Sequence, residues 1–135
     1  MKIIFTNGCF DILHPGHMKM LKYAKSLGDK LIVAIDSDER IKQKKGNLRP
    51  INSSEVRKEM LLAIRYVDVV YVFDNDTELK SLVKKFKPDI MIVGSDWMGK
   101  SVIGSEHAKE VKFFERIPEY STSKTIESIV VGRNM

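Results

Sequence analysis

The sequence predicts a three-layer α/β/α domain built on one parallel sheet of about five strands with helices on both faces. Three observations predict it. Short β-type runs alternate with longer stretches whose apolar residues recur at helical spacing. The run Leu31-Ile32-Val33-Ala34-Ile35 is almost continuously apolar, as in strands covered on both faces. The order strand, helix, strand, helix calls for crossover connections, which are right-handed in such sheets. With 135 residues, 43% of them hydrophobic, the chain suffices for one core. Two domains would each be marginal, so residues 1–135 are expected to form a single domain.

Ile3-Ile4-Phe5 begins the first strand, and a Gly/Pro-punctuated turn leads to a helix over roughly residues 15–27. Met18, Leu21, Tyr23, Ala24 and Leu27 supply that helix's apolar positions, and Gly28 its stop. After the second strand, residues 36–52 read as a polar, lysine-rich connection. Ser53 or Ser54 caps a helix through about Tyr66, with Met60, Leu61 and Ile64 as its buried stripe. Val69 to Phe73 is the third strand, Thr77 to Phe86 a helix, Asp89 to Val93 the fourth strand, and Val111 to Phe114 a short fifth. Ser121 to Val131 forms a closing helix whose apolar positions are Ile126, Ile129 and Val130. There is no internal repeat, low-complexity tract or linker.

Composition excludes some functions. No apolar run approaches the roughly 20 residues that span a bilayer, and the amino terminus reads as a strand rather than a signal peptide. A cytoplasmic location without membrane attachment is therefore expected. A single cysteine, Cys9, rules out an intramolecular disulfide and a cysteine-based zinc cluster. The net charge of +5 suits a polyphosphate ligand, a nucleic acid, or merely a lysine-rich surface, and decides among none of them.

Ligands of such sheets bind beyond the carboxyl ends of the strands, where the strand order reverses. The loops after Thr6, Ile35 and Val93 all carry unusual polar chemistry. In the first, Gly8 permits close backbone approach, and Pro15 and Gly16 place His17 at or near a helix start. Helix starts present unpaired N–H groups and a partial positive charge. There His14 and His17 could converge on one anion and donate to oxygens whose charge grows during phosphoryl or nucleotidyl transfer. The two histidines could instead bind a metal with Asp11, or be ordinary turn residues. Lys42, Lys44, Lys45 and Arg49 of the second loop form either a solvated face or a phosphate-gripping lid. Ser121, Thr122 and Ser123 can cap the last helix, bind phosphate oxygens, or do both.

The segment Thr6-Asn7-Gly8-Cys9-Phe10-Asp11-Ile12-Leu13-His14-Pro15-Gly16-His17 resembles the H-x-G-H signature of the cytidylyltransferase-like nucleotidyltransferases. The resemblance runs from the first strand to the last helix and implies a Rossmann-like fold. It implies that His14 and His17 stabilise a nucleoside triphosphate while an acceptor phosphate attacks the α-phosphorus in line and pyrophosphate leaves. It also implies that one or more lysines of the second loop grip phosphate, with Lys44 and Lys45 the candidates. Arg116 through Ser123 is similar to the family's R-x-x-x-x-S-T-T motif, with Ser123 keeping the final hydroxyl. Thr6, Gly8, Phe10, Asp11, Ser121, Thr122 and Ser123 are the further nucleotide-binding candidates.

Two branches of the family are mixed. The Thr6–Asp11 segment, Lys45 to Asn52, and Val102 to Glu106 resemble the heptose 1-phosphate adenylyltransferase domain. Arg65-Tyr66-Val67-Asp68, the segment from Gly94 through Asp96 and Trp97 to Lys100, and Arg116 resemble glycerol-3-phosphate cytidylyltransferase. The latter motifs place Arg65, Gly94, Asp96 and Trp97 at the nucleotide and favour CTP over ATP. The acceptor is then a polyol, sugar or alcohol phosphate of the glycerol 3-phosphate type. Mg²⁺ is expected, held mostly by triphosphate and water, with Asp11 as an outer contact or a structural cap. The resemblance also implies a homodimer. The rival class is a non-catalytic nucleotide- or RNA-binding module, which the 8% aromatic content disfavours. No G-x-G-x-x-G follows the first strand, which disfavours a dinucleotide-dependent oxidoreductase.

Overall fold

A computed structural model describes residues 1–115 and 121–132. The chain runs through β1 (Ile3–Gly8), α1 (Pro15–Ser26), β2 (Lys30–Asp36), α2 (Asp38–Lys45), α3 (Ser54–Leu62), β3 (Val69–Phe73), α4 (Asp76–Phe86), β4 (Ile90–Gly94), β5 (Glu110–Phe114) and α5 (Thr122–Gly132). The five strands form one sheet in the order β3-β2-β1-β4-β5. Every pairing is parallel, with Thr6 of β1 opposite Val33 of β2 and Ile92 of β4. From β1 the chain builds outward to β3, then crosses back to add β4 and β5. The order therefore reverses between β1 and β4, and a ligand crevice opens there beyond Gly8 and Gly94.

Alternation along the strands divides the core. Ile4, Leu31, Val33, Ile35, Ile90 and Ile92 pack with Leu21 and Ala24 of α1 and Leu61 of α3. Phe5, Ile32, Ala34, Phe73 and Met91 pack with Leu79 and Val83 of α4. The amino edge of the sheet is closed by aspartates that accept amides at or next to the strand starts: Asp29 from Lys2, Asp68 from Leu31, and Asp89 from Ile3, at 2.7–2.8 Å. Gly28 allows α1 to turn tightly into β2, since a Cβ there would lie 2.8 Å from the Ile4 side chain and the Lys2 carbonyl. No helix of the described residues is long and apolar enough to cross a membrane.

The structure corrects the reading in three places. The connection over residues 36–52 contains α2, capped by the Ser37 side chain and polarised by Asp38 and Glu39 at its start and Lys42, Lys44 and Lys45 at its end. Its apolar signal is nearly absent because only Ile41 is buried. The next helix stops at Leu62 rather than Tyr66, and its expected core residue Met60 is 53% exposed. On that helix Arg57 is buried beside Leu61 instead. On α5, Ile129 and Val130 are also exposed.

Candidate active site

The H-x-G-H spacing has a direct structural cause. His14 is the extended N-cap of α1, Pro15 occupies the first helical position without needing a donor, and His17 is three residues on. His14 Nδ1 accepts from the Gly16 amide at 3.1 Å, while the His14 amide donates to His17 Nδ1 at 3.2 Å. The pair is a capping box made of two imidazoles, each doing what a Ser/Thr and a Glu do elsewhere. The rings stack with centroids 3.8 Å apart. Because both Nδ1 atoms accept, the hydrogen-bond pattern assigns the proton of each neutral ring to Nε2, making Nε2–H the donor edge. No acidic residue lies in the first turn of α1, so the positive end of the helix is not offset locally.

His17 is held neutral. Burial, then the charges of His14 and Lys45, lower its pKa from 6.5 to about 4. Phe10 packs against it, with ring centroids 5.2 Å apart, and reaches that position with a left-handed φ of 50°. Near neutral pH the ring therefore acts as a hydrogen-bond donor rather than as a cation.

The crevice at the strand reversal is a cavity of about 300 Å³. Thr6, Phe10, Asp11, His14 and His17 line it from β1 and its loop, Lys45 and Arg49 from the β2 side, Gly94 and Asp96 from β4, and Ser121, Thr122 and Ser123 from the start of α5. Thr6 Oγ1 donates to the Ile92 carbonyl at 2.9 Å, fastening β1 to β4 at the reversal. Ser121 caps α5 by accepting the Lys124 amide at 3.0 Å, and Thr122 Oγ1 donates to the Ile12 carbonyl at 3.1 Å. Capping and cavity lining thus coexist in the hydroxyl cluster, and two helix N-termini meet at one cavity.

Of the two roles expected for Asp11, an outer metal contact or a structural cap, its hydrogen bonds fit the structural one. Its side chain is 1% exposed and both carboxylate oxygens are engaged: Oδ1 by the Asn52 amide, Oδ2 by the Ile51 amide, both at 2.8 Å, and Oδ2 also by Arg49 Nε at 3.4 Å. Asn52 Nδ2 returns a bond to the Asp11 carbonyl at 3.0 Å. The carboxylate ties the segment after α2 to the turn after β1. Among the described residues, no group of three or more His, Cys, Asp or Glu side chains could hold a metal ion together.

A residue the sequence reading missed holds the same region together. Arg57 has a fully buried side chain and donates to the carbonyls of Asn52, Cys9 and Asp36 and to Asp38 Oδ1, at 2.7–3.0 Å. One guanidinium thereby joins the β1 loop, the end of β2, the start of α2 and the entry to α3. No sequence signal marks it, because an arginine amid Glu55, Lys58 and Glu59 reads as solvated surface.

Several expected site residues lie elsewhere. Lys44 is exposed on the last turn of α2 and does not line the cavity, whereas Lys45 does. Gly8 shapes the turn from behind, since a Cβ on it would come 3.1 Å from the Phe10 ring. Arg65 follows α3 and precedes β3, so the fold puts it at the amino edge of the sheet, opposite the crevice, with its guanidinium over Tyr66. Trp97 is 45% exposed in a short 3-10 turn, and neighbouring Asp96, rather than Trp97, lines the cavity. Arg116 lies outside the described residues.

Similarity to known proteins agrees with this geometry. A family model described as cytidylyltransferase-like matches residues 5–128. The chain is 52% identical over 128 residues to the bifunctional protein HldE of Helicobacter pylori, and 47% identical over 127 residues to that of Campylobacter fetus subsp. fetus. These matches cover 95% and 94% of the chain, but the chain spans only 28% of the length of either relative. Among solved structures, the lipopolysaccharide core biosynthesis protein from Thermoplasma volcanium superposes with a TM-score of 0.69 at 27% identity, covering 87% of this chain and 99% of the other.

Proposed function

The chain belongs to the cytidylyltransferase-like family of nucleotidyltransferases, and from that premise we propose that its cavity transfers AMP from ATP to a sugar 1-phosphate of the heptose type. The observation that carries the transfer is the reciprocal histidine cap, which presents two preset Nε2–H donors at a helix N-terminus. An acceptor phosphate oxygen bonds to the α-phosphorus, the bond from that phosphorus to the bridging oxygen breaks, and pyrophosphate leaves with the negative charge. The His17 imidazole, held neutral, and the His14 imidazole hydrogen-bond the triphosphate oxygens as charge accumulates on them, and the start of α5 supplies hydroxyls and a second helix end. Mg²⁺ bound by the triphosphate and water would offset its charge, with the Asp96 and Asp11 carboxylates on the cavity wall.

ATP is favoured over CTP by where the motifs fall. The adenylyltransferase-like segment from Lys45 to Asn52 supplies Lys45 and Arg49 to the cavity and is tied to it by Asp11. Arg65 and Trp97, which favoured CTP, do not line it. The relatives at about half identity add weight, as does the neighbour named for lipopolysaccharide core biosynthesis. A cytidylyltransferase acting on glycerol 3-phosphate is the second reading, favoured by Gly94 and Asp96 of the other branch's motif. A homodimer belongs to the same proposal and rests on family resemblance alone. Pyrophosphate release measured with ATP and CTP against heptose 1-phosphate, glycerol 3-phosphate and ethanolamine phosphate tests all of this. ATP with heptose 1-phosphate should give the highest kcat/KM. CTP with glycerol 3-phosphate as the best pair would install the second reading, and no turnover with any pair would end the transfer hypothesis.

A further inference from the structure

Arg49 differs from the other cations around the cavity. Lys45 is exposed, whereas the Arg49 side chain is 14% exposed and lines the cavity wall. Among the described residues its ion pair uses Nε, at 3.4 Å from Asp11 Oδ2. Among the described residues its two terminal nitrogens make no protein hydrogen bond, yet no buried side-chain nitrogen is without a partner. Those nitrogens therefore meet open space. Asp11 fixes the stem from one side and, through the amides of Ile51 and Asn52, fixes the backbone just beyond it. A guanidinium so held is pre-organised, and its planar fork matches two oxygens of a phosphate monoester.

We infer that Arg49 is the receptor for the phosphate of the acceptor substrate, with Asp11 as its positioning residue; this rests on the nucleotidyl-transfer reading of the site. Two anions must meet in the cavity, and their needs differ. The triphosphate gains charge on its leaving portion, which neutral donors and helix ends at α1 and α5 accommodate. The acceptor must stay a deprotonated nucleophile while its charge is offset. Arginine keeps its proton even where burial would shift a lysine, so it can bind the dianion without protonating the attacking oxygen. Arg49 also enters from the β2 side, while Gly94, Asp96 and Ser121 to Ser123 enter from the β4 and β5 side.

Initial rates with each substrate varied in turn, on the wild type, Arg49→Gln, Arg49→Lys and Asp11→Asn, test the assignment, with thermal melting to confirm that each variant folds. Loss of a bidentate charge-assisted contact should raise the acceptor KM by about ten- to hundredfold in Arg49→Gln while the nucleotide KM stays within about twofold. Arg49→Lys should recover part of the loss, and Asp11→Asn should raise the same KM without removing the charge. An increase confined to the nucleotide KM, or no change in either, overturns the inference. If the wild type itself turns over no pair, the transfer reading fails separately. Arg49 is then judged by titrating inorganic phosphate against the His17 ring resonances. Weaker binding in Arg49→Gln supports a phosphate receptor, and equal binding in the two proteins overturns it.

Discussion

A histidine is an uncommon helix cap, and two of them capping each other fix the tautomer of both rings before any ligand arrives. His14 and His17 spend their Nδ1 atoms on backbone amides, so the donor edge of each imidazole is Nε2–H. Replacing His17 with alanine should lower kcat by about 10²–10³-fold, the usual cost of one transition-state donor, with nucleotide affinity changed much less. Steady-state rates set against a direct nucleotide titration separate the two effects. The depressed pKa gives a second expectation. Between pH 6.5 and about 4 the unfolded chain takes up a proton at residue 17 that the folded chain refuses. Stability should therefore fall as pH drops through that window, while above it the group contributes no pH dependence. Melting curves of His17→Gln should lose this part of the slope, and a variant as acid-sensitive as wild type would show that the ring is not held neutral.

At the scale of elements, what could be read in advance followed the strength of the apolar pattern. The strands appear almost where β-branched runs place them, β3 at Val69–Phe73 to the residue. α2 was invisible because a helix that buries only Ile41 leaves no stripe to find; its caps and charge gradient were the available signal. Arg57 was illegible for another reason: its burial depends on three backbone carbonyls and the Asp38 carboxylate, which only the fold assembles around it. The H-x-G-H turn was legible because its chemistry is local to one helix start, whereas Arg65 was misplaced because a motif does not reveal which edge of the sheet it occupies. Arg57 should dominate the stability of this region. Arg57→Met strands three backbone acceptors and the Asp38 carboxylate, and should cost about 3–5 kcal/mol, read as a lower urea midpoint with an unchanged slope. A loss below about 1 kcal/mol would mean that these segments hold together without it.

The whole molecule separates structure from chemistry along the strand axis. Aspartates at the amino edge close off the strand amides, and the carboxyl edge gathers two helix starts, the histidine pair and the Asp11 tie around a single cavity. A triphosphate bound there stabilises the native state in proportion to its occupancy, by about 2.7 kcal/mol at a hundred times Kd. Amide protection should rise where the cavity is built: residues 9–17, 45–52 and 121–125 should exchange more slowly when ATP and Mg²⁺ are added. The amino-edge turns around Gly28, Arg65 and Pro88 should rise only by the global increment, since they lie at the far end of the strands. Hydrogen exchange followed by mass spectrometry resolves these segments. Extra protection around Arg65 beyond the global increment would require the nucleotide to contact the amino edge of a chain, which a single copy of this fold cannot arrange. It would thereby assign Arg65 to a site shared with a second copy. Without that extra protection, the cavity at the β1–β4 reversal accounts for the nucleotide by itself.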